Sequence, residues 1–132
     1  MTIEFSNGKS LCPTFGWTHV ASSRGGKTIY ISGQVSVNEK GEVVGKGDLH
    51  AQVTQTFENL KNALAAAGAT FKDVVKSSFY VVGLKSEQVP ILREVRARYF
   101  NQQNPPTSTL VGVQALVNPD WLIEIELIAV IE

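Results

Sequence analysis

Two carboxylates stand within an otherwise apolar run near the end of the chain. In the run Leu122–Ile131, every position except Glu124 and Glu126 is apolar. Because side chains alternate between the two faces of a strand, both carboxylates point away from the face that carries Ile123 and Ile125. Burying a carboxylate without a partner is costly, so the pair predicts either a solvated face or a pocket wall where a carboxylate acts on a ligand.

The other ionisable residues give weaker signals. Arg93, Arg96 and Arg98 fall on one short predicted helix, where a solvated helix face explains them without any ligand. His19 and His50 are the only histidines, and no HExxH motif or carboxylate cluster accompanies them, so no metal site is predicted. The chain also lacks the GxGxxG, P-loop and GxSxG motifs.

The only cysteine, Cys12, excludes an internal disulfide and a cysteine-rich zinc site. Since no base is placed beside it by the sequence, it is interpreted as a small hydrophobic residue rather than as a nucleophile.

Two amphipathic helices and several strands must position these residues. Asp48 is a suitable N-cap for the first helix, and Gly68 a suitable C′ residue. Its apolar stripe consists of Val53, Phe57, Leu60, Leu64 and Ala67. The second helix is predicted to be capped by Ser86, with Pro90 near its start. Its stripe consists of Val89, Leu92, Val95 or Arg96, and Tyr99.

Strand-like runs surround both helices. The predicted strands are Thr2–Phe5, Thr28–Val37, Val74–Leu84, Thr107–Leu116 and Leu122–Ile131, and Trp17–Ser22 and Glu42–Val44 can also extend. Gly33 inside its strand predicts a bulge or a close backbone approach. The order of elements predicts an α+β fold in which two helices cover one face of a mixed sheet.

Length and composition limit the number of domains and the classes of function that the chain can have. With 132 residues, 43% of them hydrophobic, the chain is predicted to be one domain spanning residues 1–132. Its 12 basic and 12 acidic residues balance, which argues against an electrostatic nucleic-acid binder. No membrane span or signal peptide is recognised, so a soluble, cytoplasmic protein is expected.

Several motifs together resemble the reactive intermediate deaminase family, also called the RidA, YjgF or L-PSP endoribonuclease-like family. The resemblance extends over nearly the whole chain. The segments that carry it are Ile29–Gln34 (IYISGQ), Ala66–Ala69 (AAGA), Asp73–Lys76 (DVVK), Pro105–Thr109 (PPTST), Ile123–Glu126 (IEIE) and Ile128–Val130 (IAV).

The resemblance implies a chorismate-mutase-like (bacillus type) fold, a homotrimer, and small-molecule sites in the clefts between subunits. In the best-known branch, the enzymes hydrolyse reactive enamines and imines to 2-oxo acids and ammonia without a cofactor. That chemistry needs a cation for the substrate carboxylate, a held water, and an acidic group that manages protons.

The site residues follow from the resemblance one at a time. Glu124 matches the glutamate that orients water and handles protons. Ser32 and Gly33 match the strand segment that lines the cleft. Trp17 stands where many members have tyrosine, and Thr109 stands where cysteine or threonine is frequent.

One position departs from the deaminase pattern. The deaminating branches have arginine in a Pro-x-Arg-Ser motif, but this chain has Thr107 there. Threonine has one hydroxyl and no charge, so it cannot form a bidentate pair with a carboxylate. Arg93, near a helix position that often carries asparagine in the family, or Arg24, on a nearby loop, is a candidate replacement.

Three interpretations therefore remain. The first is an imine or enamine hydrolase whose specificity is altered by Thr107, and the second is a non-catalytic small-molecule binding or sensing protein that uses the same clefts. The third is an RNA-directed role, against which the neutral charge argues. Apolar faces of the last two strands exceed what two short helices can cover, which independently predicts an oligomer.

Overall fold

The computed structural model describes all residues from Met1 to Glu132. It contains six strands and two α-helices. In chain order these are β1 (Thr2–Ser6), β2 (Val20–Arg24), β3 (Lys27–Gln34), α1 (Leu49–Ala66), β4 (Val74–Val82), α2 (Val89–Tyr99), β5 (Thr107–Val113) and β6 (Ile123–Ile131). Short 3₁₀ turns at Phe71–Asp73 and Ser86–Gln88 precede β4 and α2.

The main sheet has four strands in the order β3-β6-β4-β5. β6 lies antiparallel between β3 and β4, whereas β4 and β5 run parallel. β1 and β2 form a separate antiparallel pair. The sheet is therefore mixed, and the predicted α+β fold class is confirmed.

One face of the sheet forms the core with the two helices. The α1 residues Val53, Phe57, Leu60 and Leu64 are fully buried, and Leu92 and Val95 of α2 are buried beside them. They pack against the β6 face predicted to be apolar, whose buried members are Ile123, Ile125, Leu127 and Ala129. Each large side chain buried in this way contributes about 1.5–3 kcal/mol.

The ends of α1 agree with the sequence prediction. Asp48 has extended backbone angles, and its carboxylate accepts a hydrogen bond from the Ala51 N–H at 3.0 Å. At the other end Gly68 has φ +78°, a left-handed conformation that glycine adopts without strain.

Gln52 fixes α1 to the start of β6. Its side chain is completely buried. The amide nitrogen donates to the Asp120 carbonyl at 2.9 Å, and the amide oxygen accepts from the Leu122 N–H at 2.9 Å. The apolar stripe alone gives no sign of this polar link.

Some predicted boundaries are wrong. The second helix begins at Val89 rather than after Ser86, because Ser86–Gln88 forms a 3₁₀ turn in which the Gln88 side chain accepts from the Lys85 N–H. Glu42–Val44 makes only an isolated bridge, Val37 to Val43.

The other face of the sheet, here called the open face, lies opposite both helices. Tyr30 on this face is 76% exposed, and Val111 is also exposed. No helix of the structure is both long enough and apolar enough to cross a membrane.

Candidate functional site

Glu124 lies directly against the backbone of β3. The register between β3 and β6 shifts between Ile31 and Gln34, which confirms the bulge predicted around Gly33. A Cβ atom built on Gly33 would lie 2.8 Å from both Cγ and Cδ of Glu124. The glycine therefore leaves the space that the Glu124 carboxylate occupies.

The open face is organised in three rows that run across the strands. Paired residues share a face, so the register places these side chains next to one another. The first row is Thr107, Lys76, Ile128 and Tyr30; the second is Thr109, Ser78 and Glu126; the third is Val111, Tyr80 and Glu124.

The two carboxylates of β6 differ in their partners. The Tyr80 hydroxyl donates to Glu126 Oε1 at 2.7 Å, and this hydrogen bond raises the pKa of Tyr80 above its ordinary value. Glu124 is half-buried, and its carboxylate accepts no hydrogen bond from elsewhere in the chain. Its oxygens are therefore free to accept from a water or a ligand.

A cavity of about 230 Å³ lies beside these residues on the open face. Its polar lining is Ser32, Lys76, Ser78 and Glu126, and its apolar lining is Tyr30, Ile31, Leu127 and Ile128. Ser32 is among the site residues predicted from the sequence, whereas Lys76 is not. Strand alternation together with the β4–β5 register would have placed Lys76 on this face beside Thr107.

Thr107, which stands where the deaminating branches have arginine, makes a side-chain hydrogen bond to the backbone of the neighbouring strand. Thr107 donates its hydroxyl to the Val75 carbonyl at 2.9 Å. Because a hydroxyl has one hydrogen, this bond leaves the Thr107 side chain no donor for a ligand. Thr109, two residues further along β5, is exposed.

Within one chain, Thr107 and Glu124 are far apart. Thr107 pairs with Lys76, and Lys76 pairs with Ile128, which is four residues from Glu124. Two strand spacings of about 4.8 Å and four residues of about 3.3 Å place the two positions roughly 16 Å apart. A single small ligand cannot touch both.

Trp17 belongs to a loop that is tied to the start of β5, the strand that carries Thr107. The neighbouring Thr18 N–H donates to the Pro106 carbonyl at 3.2 Å, which ties this segment to the residue just before β5. The Trp17 ring meets the His19 ring edge-on, with centroids 4.6 Å apart.

Arg93 and Arg96 face the same segment from α2. Arg96 Nη2 donates to the Phe15 carbonyl at 3.0 Å, and Arg93 Cζ lies 5.4 Å from the centroid of the Phe15 ring. The two arginines line a cavity of about 270 Å³ together with Thr14, Phe15, Gly16, Ala97 and Gln102. The contact between Arg96 and Phe15 differs from the solvated helix face predicted for Arg96.

The predicted site residues thus fall into two groups. Gly33 and Ser32 adjoin Glu124 or the cavity on the open face, whereas Trp17 is tied to the beginning of β5, and Arg93 faces the same loop segment. Arg24 belongs to neither group, since it ends β2 and lies beside Thr2 and Glu4. The structure contains no group of three His, Cys, Asp or Glu side chains that could hold a metal ion.

Comparisons with known proteins identify the family of the chain. A model of the family "Endoribonuclease L-PSP" matches residues 9–131. The 2-iminobutanoate/2-iminopropanoate deaminase of Dermatophagoides farinae is 34% identical over 107 residues, which are 81% of this chain and 80% of that protein.

Two solved structures extend the comparison. A protein of the conserved Rid family from Yersinia pestis has a TM-score of 0.92 and 36% identity, covering 99% of this chain and 100% of that chain. TdcF of E. coli, solved with bound serine, has a TM-score of 0.70 and 29% identity, covering 84% of this chain and 85% of that chain. The chain therefore belongs to the Endoribonuclease L-PSP family, also known as the RidA/YjgF family, whose function is imine or enamine deaminase-like.

Proposed function

We propose that this protein is a cofactor-independent deaminase that hydrolyses reactive imines or enamines to a carbonyl product and ammonia. The observation that carries the proposal is the Glu124 carboxylate, which lies against Gly33 and has no hydrogen-bonding partner in the chain. The resemblance to a deaminase of 2-iminobutanoate and 2-iminopropanoate supports the same reaction.

Glu124 has the chemical capacity that the reaction needs. As a carboxylate it accepts a proton from water while the water oxygen bonds to the carbon of the protonated imine and the C=N electron pair moves to nitrogen, giving a neutral carbinolamine. The same group then returns the proton to nitrogen. As the C–N bond breaks, it takes the proton of the carbinolamine hydroxyl, so that ammonia leaves and the carbon becomes a carbonyl. An enamine enters the sequence after protonation at its β-carbon.

A cleft shared between subunits of a homotrimer explains the separation of the site residues. One subunit would contribute Glu124, Gly33 and Ser32, and its neighbour would contribute Thr107, Thr109, Trp17 and Arg93. The distance of roughly 16 Å between the Thr107 and Glu124 positions in one chain supports this arrangement, because it excludes a site within a single subunit that uses both.

The proposal is tested by ammonia release from freshly generated 2-iminobutanoate and 2-iminopropanoate. Glu124→Gln keeps the size of the side chain but removes the base, so we expect hydrolysis to slow by about 100-fold or more. The rate is compared with that in buffer alone at the same pH.

Glu126→Gln is the matched control on the same strand. The Glu126 carboxylate is already bound to Tyr80, so this variant should keep the rate within about 5-fold of the native rate. Equal losses in the two variants, or a native rate no faster than buffer, would contradict the assignment of Glu124 as the catalytic base.

A non-catalytic ligand-binding protein is the second candidate, and Thr107 is the observation that favours it. Its hydroxyl donates to the Val75 carbonyl, so the side chain offers a ligand neither charge nor donor. The serine bound to TdcF shows that a relative accommodates a small amino acid. If the native protein is inert and Thr107→Arg gains deaminase activity, this second function is favoured.

A further inference from the structure

Two arginines face one cavity without any acidic partner. No carboxylate oxygen lies within 4.0 Å of Arg93 or Arg96, whereas Arg98 on the same helix pairs with Glu94. The only hydrogen bond that the Arg96 side chain makes within the chain is to the Phe15 carbonyl, and the Arg93 side chain makes none. Most of their ten N–H groups therefore remain available in a cavity of about 270 Å³.

The arrangement is unfavourable for two cations alone. Partial burial lowers the pKa of the Arg96 guanidinium below its ordinary value, and the nearby charge of Arg93 lowers it further. Like charges in a partly desolvated site repel, and an anion between them relieves both effects. Arginine pairs of this kind are suited to the planar carboxylate group.

The loop opposite the arginines is shaped around them. Gly16 has φ +73°, and a Cβ atom there would lie 2.8 Å from Arg96 Nη2. The exposed Phe15 ring forms an apolar wall over which Arg93 lies. Thr18, two residues after Gly16, donates its N–H to the Pro106 carbonyl, so the loop that lines the cavity is tied to the residue just before β5.

We propose that Arg93 and Arg96, with Phe15 as the apolar wall, form a subsite for the carboxylate of a small organic acid. This subsite supplies the positive charge that Thr107 lacks. That the acid is an imino acid or its 2-oxo product rests on the proposed function; the binding of a carboxylate does not.

The test is an NMR titration of the purified full-length protein with 2-oxobutanoate, with 2-butanone as the uncharged analogue. Arg93→Gln and Arg96→Gln should each weaken 2-oxobutanoate binding by about 10-fold or more, and added salt should weaken native binding. Arg96→Lys, which keeps a charge near the Phe15 carbonyl, should lose less than Arg96→Gln. Binding of 2-butanone should be weak and equal in all variants.

Arg98→Gln is the matched control, because it removes a guanidinium from the same helix but outside the cavity. It should bind 2-oxobutanoate as the native protein does. The Arg93 side chain makes no hydrogen bond within the fold, so its variant tests the subsite even if Arg96→Gln disturbs the Phe15 loop. Native affinity in both glutamine variants would overturn the proposal. So would a loss confined to Lys76→Gln, which would assign the carboxylate to the open face.

Glu124→Gln separates this inference from the proposed reaction. We expect this variant to bind 2-oxobutanoate within about 2-fold of the native protein while losing hydrolysis, since the subsite and the base lie on different elements. If Arg93→Gln and Arg96→Gln both hydrolyse imines and bind 2-oxobutanoate as the native protein does, the subsite is refuted and the deaminase proposal stands. If the native protein binds 2-oxobutanoate through these arginines but hydrolyses no imine, the deaminase proposal is refuted and the subsite stands.

Discussion

At the scale of single residues, the contact between Gly33 and Glu124 is the most sensitive feature of the candidate site. Gly33 does not require left-handed backbone angles, so alanine fits its backbone, but the new Cβ would lie 2.8 Å from Glu124 Cδ. Since the Glu124 side chain is flexible, it rather than the sheet should yield. We expect Gly33→Ala to slow imine hydrolysis roughly 100-fold while the thermal midpoint changes little.

A double variant shows whether this loss passes through Glu124. If Gly33→Ala acts by displacing the carboxylate, it should add almost nothing to the loss already caused by Glu124→Gln. Independent, multiplying losses in the double variant would mean that Gly33 matters for another reason, such as the shape of the cleft.

Sequence reasoning reached some of these residues and missed others for a physical reason. Alternation along one strand is a local property, and it correctly placed Glu124 on the face opposite the core. The link between Arg96 and Phe15 joins residues 81 positions apart, so no local pattern contains it. The same holds for the Thr107 hydroxyl, whose acceptor at Val75 is defined only once β4 and β5 pair.

At the scale of elements, a hydrogen bond between Tyr99 and Glu58 links α2 to α1. The Tyr99 hydroxyl donates to Glu58 Oε2 at 2.7 Å, and its ring stacks on Phe57 with centroids 4.8 Å apart. The bond lowers the pKa of Glu58, while burial and the same bond raise the pKa of Tyr99 to about 12. Tyr99→Phe keeps the stacked ring and deletes only the bond.

We expect Tyr99→Phe to lower the free energy of unfolding by about 1 kcal/mol near neutral pH, a value reduced for solvent exposure. Because the folded pKa of Glu58 lies below 4.5, the contribution is present above that pH and is lost as pH falls through the folded value. Because the folded pKa of Tyr99 lies above 10.0, it is also lost as pH rises towards about 12. Urea unfolding of both proteins across this range measures the difference.

The double-mutant cycle with Glu58→Gln identifies the partner. If the carboxylate is responsible, Tyr99→Phe should cost markedly less in the Glu58→Gln background, and the acid-side change should disappear. A stability difference between native and Tyr99→Phe proteins that stays constant down to about pH 3 would contradict the role of Glu58.

Helices and strands were predictable where burial of one face gives the apolar residues a regular spacing along the sequence. The stripe of α1 and the alternation of β6 survive in the structure because both elements bury one face against the same core. Ends were predicted less well, since they depend on pairing. β3 was predicted to reach Val37 but ends at Gln34, just after the bulge where its register with β6 shifts.

At the scale of the whole molecule, the open face predicts that copies of the chain associate. Tyr30 is 76% exposed there, Val111 is exposed, and Ile128 lies between the strands that carry them. A solvated sheet face of a monomer would carry fewer apolar side chains. Length and composition predict one domain but give no strand order. The observed order separates Thr107 from Glu124 within one chain, so a site that uses both residues requires a second copy of the chain.

Subunit complementation tests this shared cleft directly. We expect the native protein to have about three times the chain mass of 14.4 kDa by light scattering. Thr107→Glu should inactivate one half of each cleft by placing a negative charge on the half that also carries the proposed carboxylate subsite of Arg93 and Arg96, and Glu124→Gln should inactivate the other half. Neither variant should hydrolyse imines alone. When the two are co-expressed, random trimers should recover about one quarter of the native rate, because one cleft in four then combines two intact halves. A site contained within one chain would recover none, and a monomeric native mass would refute the shared cleft at once.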